Sequence, residues 1–325
     1  MEEESWASER RFVDSVGEVI RTRLAAETVL DLVGNTPLLR IRLFERRFPK
    51  LEVYAKAEWF NPGGSVKDRA ALAMIEDAER RGVLTRGRTV IDSTSGNTGI
   101  AYAMVCAAKG YRLKLVMPGN VSEERKQLVS AYGAEIVFSD PLEGSDGAIR
   151  LCHELIAAAP EQYCYVDQYS NPANPLAHYE GTAREILEQT EGRITCFLAG
   201  LGTTGTFVGT ARRLKEHDAE IRTIAVMPEQ FHGLEGLKHL PSSIVPKIWT
   251  PEHADEIWEA PTEPAYELAR ELSRTEGLLV GHSSGAALWA VARLAEQIEE
   301  GVVVTIFPDS GDRYLSTGLY RRAGA

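Results

Sequence analysis

The stretch Asn61-Pro62-Gly63-Gly64-Ser65-Val66-Lys67-Asp68-Arg69 sets one lysine where a turn rich in glycine and proline gives way to the helix formers Ala70, Ala71, Leu72, Met74 and Ile75. The spacing predicts a helix over 70–81, with Lys67 at or near its start. An ammonium near a helix N-terminus meets the positive end of the dipole, and partial burial also disfavours its charge, so both effects lower its pKa. An amine of lowered pKa is what Schiff-base chemistry needs. On this residue alone, the competing reading is a solvated surface lysine.

Other loops offer donors for an anion. Asp92-Ser93-Thr94-Ser95-Gly96-Asn97-Thr98-Gly99 follows a strand pattern and opens a helical one. Free N–H groups and the helix dipole converge at such a junction, which suits a carboxylate or phosphate. Gly96 and Gly99 permit close approach, and Thr94, Ser95, Asn97 and Thr98 add hydroxyl and amide groups. A capped helix start, with Ser95 or Asn97 as the cap, is the plain alternative. A second loop, Gly200-Leu201-Gly202-Thr203-Thr204-Gly205-Thr206, satisfies Gly-x-Gly-x-x-Gly, and Glu229 follows the next strand run. That makes an NAD-dependent oxidoreductase a rival from another enzyme class. The same amides and hydroxyls equally suit a single phosphate monoester, and the dinucleotide reading leaves Lys67 and Thr94–Gly99 unexplained. A third loop, Gly281-His282-Ser283-Ser284-Gly285-Ala286, fits Gly-x-Ser-x-Gly, but no histidine follows His282 to complete a hydrolase.

The elements that must position these loops alternate. Apolar strand-like runs occur at Leu51–Ala57, Thr89–Ile91, Leu113–Met117, Ile136–Phe138, Tyr163–Val166, Thr195–Leu198, Thr223–Val226, Leu278–Val280 and Val302–Phe307. Helical patterns fall between most of them, at Asn97–Lys109, Ser122–Tyr132, Asp146–Ala159, Thr206–His217, Glu263–Glu276 and Gly285–Glu300. The alternation implies an α/β fold with mostly parallel sheets covered on both faces. Pro228–Ala260 is the least regular stretch. Residues 1–27 read as an added helical segment, with Phe12, Val13, Val16, Val19, Ile20 and Leu24 forming one apolar stripe.

Composition narrows the class. The 325 residues are 44% apolar and 26% charged, ordinary for a globular protein. A net charge of −11 argues against nucleic acid as the main partner, and no apolar run approaches the length of a membrane span. The acidic start Met1-Glu2-Glu3-Glu4 lacks the apolar core of a secretory leader. Cys106, Cys152, Cys164 and Cys196 show no metal-ligand spacing and read as reduced, mostly buried thiols of a cytoplasmic protein. No metal site is expected.

From about Thr28 to Leu319 the chain resembles the cysteine synthase and cystathionine β-synthase family of pyridoxal-phosphate enzymes. The resemblance rests on Gly34-Asn35-Thr36-Pro37-Leu38, the Lys67 motif, Thr94–Gly99, Gln168-Tyr169-Ser170-Asn171-Pro172, Gly202–Thr206, Gly281–Ala286 and Ser310-Gly311-Asp312-Arg313-Tyr314, in the family's order. It implies two open, mostly parallel twisted sheets (the tryptophan synthase β-like fold type II) with pyridoxal 5'-phosphate between domains. A smaller substrate-loop domain would take 61–171, and a larger cofactor-phosphate domain 28–60 plus 172–325. By this resemblance Lys67 would carry the cofactor as a Schiff base, Asn97 would bond its ring hydroxyl, Gly202, Thr203, Thr204, Gly205 and Thr206 would cradle its phosphate, and Ser283 would face its pyridine nitrogen. Thr94, Ser95, Gly96, Thr98 and Gln168 would bind the substrate carboxylate. The implied reaction is β-replacement: O-acetyl-L-serine or O-phospho-L-serine loses its leaving group to give a bound aminoacrylate, and sulfide or another sulfur donor adds to make L-cysteine. Synthesis of cystathionine, or replacement by an amine nucleophile as in diaminopropionate formation, is the alternative within the family. The implied assembly is a homodimer.

Two departures refine the resemblance. Thr204 stands where the main cysteine synthase type has glycine. Gly236-Leu237-Lys238-His239 and Ile244-Val245-Pro246 resemble the B-type synthases instead. Lys238 would there pair with a substrate phosphate, a solvated loop lysine being the alternative.

Overall fold

The computed structural model describes residues 25–94 and 96–320. The chain runs β1 (Leu38–Ile41), β2 (Leu51–Ala57), α1 (Lys67–Arg80), β3 (Thr89–Ser93), α2 (Asn97–Lys109), β4 (Arg112–Pro118), α3 (Glu123–Ala131), β5 (Glu135–Ser139), α4 (Gly144–Ala158) and β6 (Tyr163–Tyr165). It continues through α5 (Ala173–Ala177), α6 (Ala183–Gln189), β7 (Cys196–Gly200), α7 (Gly205–His217), β8 (Arg222–Pro228), β9 (Glu256–Ala260), α8 (Thr262–Thr275), α9 (His282–Ala295) and β10 (Gly301–Phe307). The strands form a four-stranded sheet, β5-β4-β3-β6, and a six-stranded sheet, β1-β2-β10-β7-β8-β9. Among the strands of the described residues every pairing is parallel except β1 with β2, so the expected mostly parallel architecture holds.

The central strands β7 and β10 are covered on both faces, which is why they are almost continuously apolar. On β10, Val303 and Phe307 point into the core beneath α8 and α9, whereas Val304 and Ile306 join Phe197, Phe207 and Leu214 on the opposite face. On the small sheet, Val90 and Leu115 pack with Met74, Ile75 and Tyr102 from α1 and α2, while Ile91 and Val116 face Ala148 and Cys152 of α4. All four cysteines are free and buried. Two of the loops singled out above leave the carboxyl ends of β3 and β7, and the segment after β10 leaves a third strand end. In open parallel sheets that edge is where ligands bind.

A buried charge network fixes the base of α1. Arg69 reaches Glu58 at 2.7 Å and Glu185 on α6 at 2.6 Å, and Lys56 on β2 reaches Glu185 at 2.6 Å. Asn35 N also donates to Glu185, and Gly34 N to Asn61. Burial pulls the Lys56 ammonium below its ordinary 10.5 although Glu185 opposes the shift. Arg69 and Lys56 together hold the Glu185 carboxyl at about 2 against the strong opposing effect of burial.

Where the elements differ from the sequence expectations, local chemistry explains it. Leu278–Val280 forms no strand; only Val280 makes an isolated bridge, to Ser310. Strand β9 was hidden in the irregular Pro228–Ala260 stretch because Ile257 and Glu259 face out at a sheet edge and half-buried Glu256 adds another charge, leaving Trp258 and Ala260 as its buried pair. The helical stretch from Ala173 to Gln189 was obscured by Pro172, Pro175 and Gly181, and it contains a π-turn at His178–Thr182. The apolar stripe from Phe12 to Leu24 lies outside the described residues, and Ala25 to Glu27 are exposed.

The helix pair α5/α7 gives one stability prediction. A Cβ on Gly209 would overlap the Pro175 carbonyl oxygen, a backbone atom that cannot rotate away. Gly209→Ala should therefore destabilise the fold by about 1–3 kcal/mol, read as a lower urea midpoint at unchanged slope.

Candidate active site

Lys67 is the first residue of α1, as its sequence context suggests. The turn before it is pinned from several directions. Lys67 N donates to Ser65 Oγ at 3.3 Å, Val66 N donates to Pro308 O at 2.9 Å, and Arg313 donates to Gly63 O at 2.5 Å. Gly64 adopts φ +79, a conformation that favours glycine. The Asp68 carboxylate accepts from Gly63 N, and burial raises its pKa to about 7. Loss of solvent around the Lys67 amine pulls its pKa below 10.5, outweighing the opposing pull of Asp309 and Glu58. The direction is the expected one, and its main cause is desolvation.

Lys67 sits where two cavities meet. The inner one is narrow and is lined by Gly202, Thr203, Thr204, Thr206, Ser283 and Asp309. Its loop is shaped by tight packing: a Cβ on Gly205 would overlap the Asn174 side chain, and Gly202 lies against the Gly236 carbonyl. Thr204 adopts φ +74, uncommon for a β-branched residue, and its buried hydroxyl has no hydrogen-bond partner among the described residues. Thr206 Oγ1 meets His178 Nε2 at 3.2 Å, and Asn174 donates to Thr203 Oγ1 at 3.1 Å.

The outer cavity is a cleft of about 700 Å³, ample for a small ligand. Thr94, Gly96, Asn97, Thr98, Gln168 and Lys238 all line it. Thr98 donates to Gln168 Oε1 at 2.9 Å, and Gln168 Nε2 donates to Ser93 O at 2.6 Å, so the glutamine is locked against the loop. Asn97 opens α2 and bridges Asp309, to which it donates at 2.5 Å, and Arg313, from which it accepts at 2.6 Å. Ser95 lies outside the described residues. Every other predicted site residue borders one of the two cavities except Gly205, which starts α7 directly behind the inner one.

The sequence model of pyridoxal-phosphate-dependent enzymes matches residues 29–309. This chain belongs to the pyridoxal-phosphate-dependent enzyme family. Among its family relatives, the cysteine synthase of Aquifex aeolicus is 54% identical over 305 residues, covering 92% of this chain and 93% of that protein. Cysteine synthase B of Escherichia coli is 42% identical, covering 90% and 96%. The crystal structure of a cysteine synthase from Entamoeba histolytica superposes with a TM-score of 0.87 at 36% identity, covering 93% of this chain and 94% of that one.

The residues present fit the family's cofactor. A phosphate monoester needs several donors in a tight cradle, and the inner pocket supplies the Thr204 hydroxyl, which has no hydrogen-bond partner among the described residues, and a loop too close-packed for larger residues at 202 and 205. The family displaces both rival readings of these loops. Glu229, the acid that suited a dinucleotide ribose, instead accepts from Thr262 N at 2.7 Å at the start of α8. His282 stacks on Tyr266 and lies tilted against Tyr314, with its Nε2 3.2 Å from Thr317 Oγ1 and burial lowering its pKa to about 4. No histidine follows it in the sequence to serve Ser283 as a base.

Sequence reasoning missed several residues of this pyridoxal-phosphate enzyme's site. Asp309 is buried, accepts from Asn97 and from Tyr314 at 2.6 Å, and exerts the larger of the two opposing charge effects on the Lys67 amine, ahead of Glu58. The available signal was an acid at the carboxyl end of the strand run Val302–Phe307. Arg125, Asp146 and Glu235, all lining the cleft, carried no such signal, because each sits in a polar stretch that reads as surface.

Thr204 carries a prediction separable from turnover. Thr204→Gly should relieve backbone strain of about 1 kcal/mol and raise the melting temperature of the apoprotein, while removing a hydroxyl from the cradle. Titrating pyridoxal phosphate into the apoprotein, followed by fluorescence, should then show weaker binding.

Proposed function

We propose that this enzyme makes L-cysteine by β-replacement on an activated serine. The observation that carries the reading is a lysine of lowered pKa at the junction of a phosphate-sized pocket and a cleft edged by a carboxylate-shaped loop. Lys67 would hold the cofactor covalently, Gly202 to Thr206 its phosphate, Asn97 its ring hydroxyl and Ser283 its pyridine nitrogen. Bound there, pyridoxal phosphate supplies an electron sink for the substrate α-carbon.

The chain's own groups do the rest. The amides and hydroxyls of Thr94, Ser95, Gly96 and Thr98, with Gln168, would seat the substrate carboxylate and fix the amino acid in one orientation. Lys67 Nζ would take the α-proton as the bond from the β-carbon to its oxygen leaving group breaks, and return a proton to the α-carbon after sulfide has added at the β-carbon. A serine beside the pyridine nitrogen leaves that nitrogen largely unprotonated, which favours elimination over transamination. Closure of the Thr94–Gly99 loop would keep water from the reacting atoms. Acetate or phosphate leaves and cysteine forms. Lys238 is the residue to meet a phosphate leaving group, and O-phosphoserine stands beside O-acetylserine as donor on that account. The same reading takes 61–171 as the moving substrate-loop domain against 28–60 plus 172–325, in a cytoplasmic homodimer.

The purified protein should be yellow, lose that colour on borohydride treatment with the label on Lys67, and turn over O-acetylserine or O-phosphoserine with sulfide. A colourless protein with no cysteine formed from either donor would overturn the proposal.

A further inference from the structure

Two ion pairs cross the outer cleft in opposite senses. Arg125 on α3, beside the four-stranded sheet, reaches Glu235 in the β8–β9 connection at 2.8 Å. Lys238, three residues further along that connection, reaches back to Asp146 on α4 at 3.3 Å. All four side chains line the cleft. The connection itself is anchored to the inner pocket's loop: Lys238 N donates to Leu201 O at 2.7 Å, and the Gly236 carbonyl lies against Gly202. The backbone that carries Lys238 is therefore held at the cleft.

Its environment is that of a cation awaiting a better partner. The Lys238 side chain is only 12% exposed, its ammonium lies 5.1 Å above the Tyr169 ring, and Asp146 is its one hydrogen-bond acceptor among the described residues. At 3.3 Å that bond is long for a charge-assisted one, and an ammonium has three protons to donate. Arg125 is likewise sunk in the cleft wall, 13% exposed, with its guanidinium 5.4 Å over Tyr314. Both carboxylates are the more exposed partners, at 32% and 39%. The cations are built in, and the anions are the displaceable half of each pair.

We propose that Asp146 and Glu235 are specificity-determining residues. They are the resting counter-ions of Lys238 and Arg125, and a small oxyanion entering the cleft competes with them. Because each carboxylate sits across the cleft from its cation, displacing it also severs a tie between the two sheets, so anion entry and loosening of the cleft are one event. A dianion competes better than a monoanion, since it can engage a cation that a single carboxylate holds at long range. The carboxylates thus set a threshold that screens the incoming anion by charge. The identity of that anion as leaving group or sulfur donor rests on the cysteine synthase reading; the competition itself does not.

The test uses inorganic sulfate as the probe, titrated into the holoenzyme at constant ionic strength and followed calorimetrically and by the cofactor's absorption. Asp146→Asn should tighten sulfate binding by about five- to tenfold, the range expected for removing one partly exposed competing charge. Lys238→Met should weaken it at least about tenfold, and Asp146→Asn added to Lys238→Met should recover nothing. Glu235→Gln should also tighten binding. Unchanged sulfate affinity in Asp146→Asn, or an equal gain in the Lys238→Met background, would overturn the proposal. Failure of the cysteine synthase reading would appear separately, as no turnover by the parent protein with either serine donor.

Discussion

Lys67→Ala is expected to cut turnover by about 10³-fold or more, since it removes at once the covalent anchor and the base that moves the α-proton. Lys67→Arg should fare no better: it restores the positive charge at the start of α1, but a guanidinium neither deprotonates nor forms the covalent link. The comparison separates charge from chemistry. Stability gives a second separation. In the cofactor-free protein the Lys67 ammonium is desolvated, with its pKa pulled below 10.5, so its loss should leave the apoprotein's thermal midpoint unchanged or raise it. A Lys67→Ala protein whose cofactor-free form melts at or above the parent apoprotein, and which no longer takes a borohydride label and fails to turn over, places the defect in the chemistry. One that keeps both its colour and full turnover removes Lys67 from the mechanism.

How much of this was legible in the sequence depends on whether the signal was local. Lys67, the Thr94–Gly99 loop and Gly202–Thr206 stood out because glycine, proline and hydroxyl residues mark backbone junctions, and those junctions occur at the strand ends where open parallel sheets gather ligands. Helix α2 begins and ends where its pattern indicated, Asn97 to Lys109, because Ile100 to Ala108 is an unbroken run without charge and the helix closes on Gly110 in the left-handed conformation. Asp309 and Arg313 were not assigned roles, because their partners Asn97 and Gly63 lie more than two hundred positions away and no periodicity connects them. The cleft-crossing pairs escaped for the same reason: Arg125 and Asp146 look like surface charges until the β8–β9 connection folds over them. Strand β9 shows the converse, a regular element whose edge position gave it the composition of a loop.

The buried charge network is the other feature of that long-range kind, and it yields the largest expected loss of stability. Glu185 accepts from both ends of the Arg69 guanidinium, from Lys56 and from Asn35 N. Removing it leaves two cations, 0% and 4% exposed, with Glu58 as the remaining anion between them. Breaking a buried pair from one side costs about 3–5 kcal/mol, because the surviving charge stays desolvated. Glu185→Ala should lose that much in urea unfolding. It should also weaken cofactor retention, since Arg69 ties Glu58 and the Asn61–Ser65 turn to the start of α1. The pH dependence has a definite sign. The Glu185 carboxyl titrates at about 2 in the fold and at 4.5 ordinarily, so the folded state favours its charged form. Its stabilisation, about 3 kcal/mol, is fully present above pH 4.5 and drains away as pH falls toward 2. Glu185→Gln keeps an acceptor but has no proton to gain, so its stability should vary less than the parent's between pH 5 and pH 3. Parallel pH profiles for the two proteins would mean that the network's charge on Glu185 does not hold α1 in place.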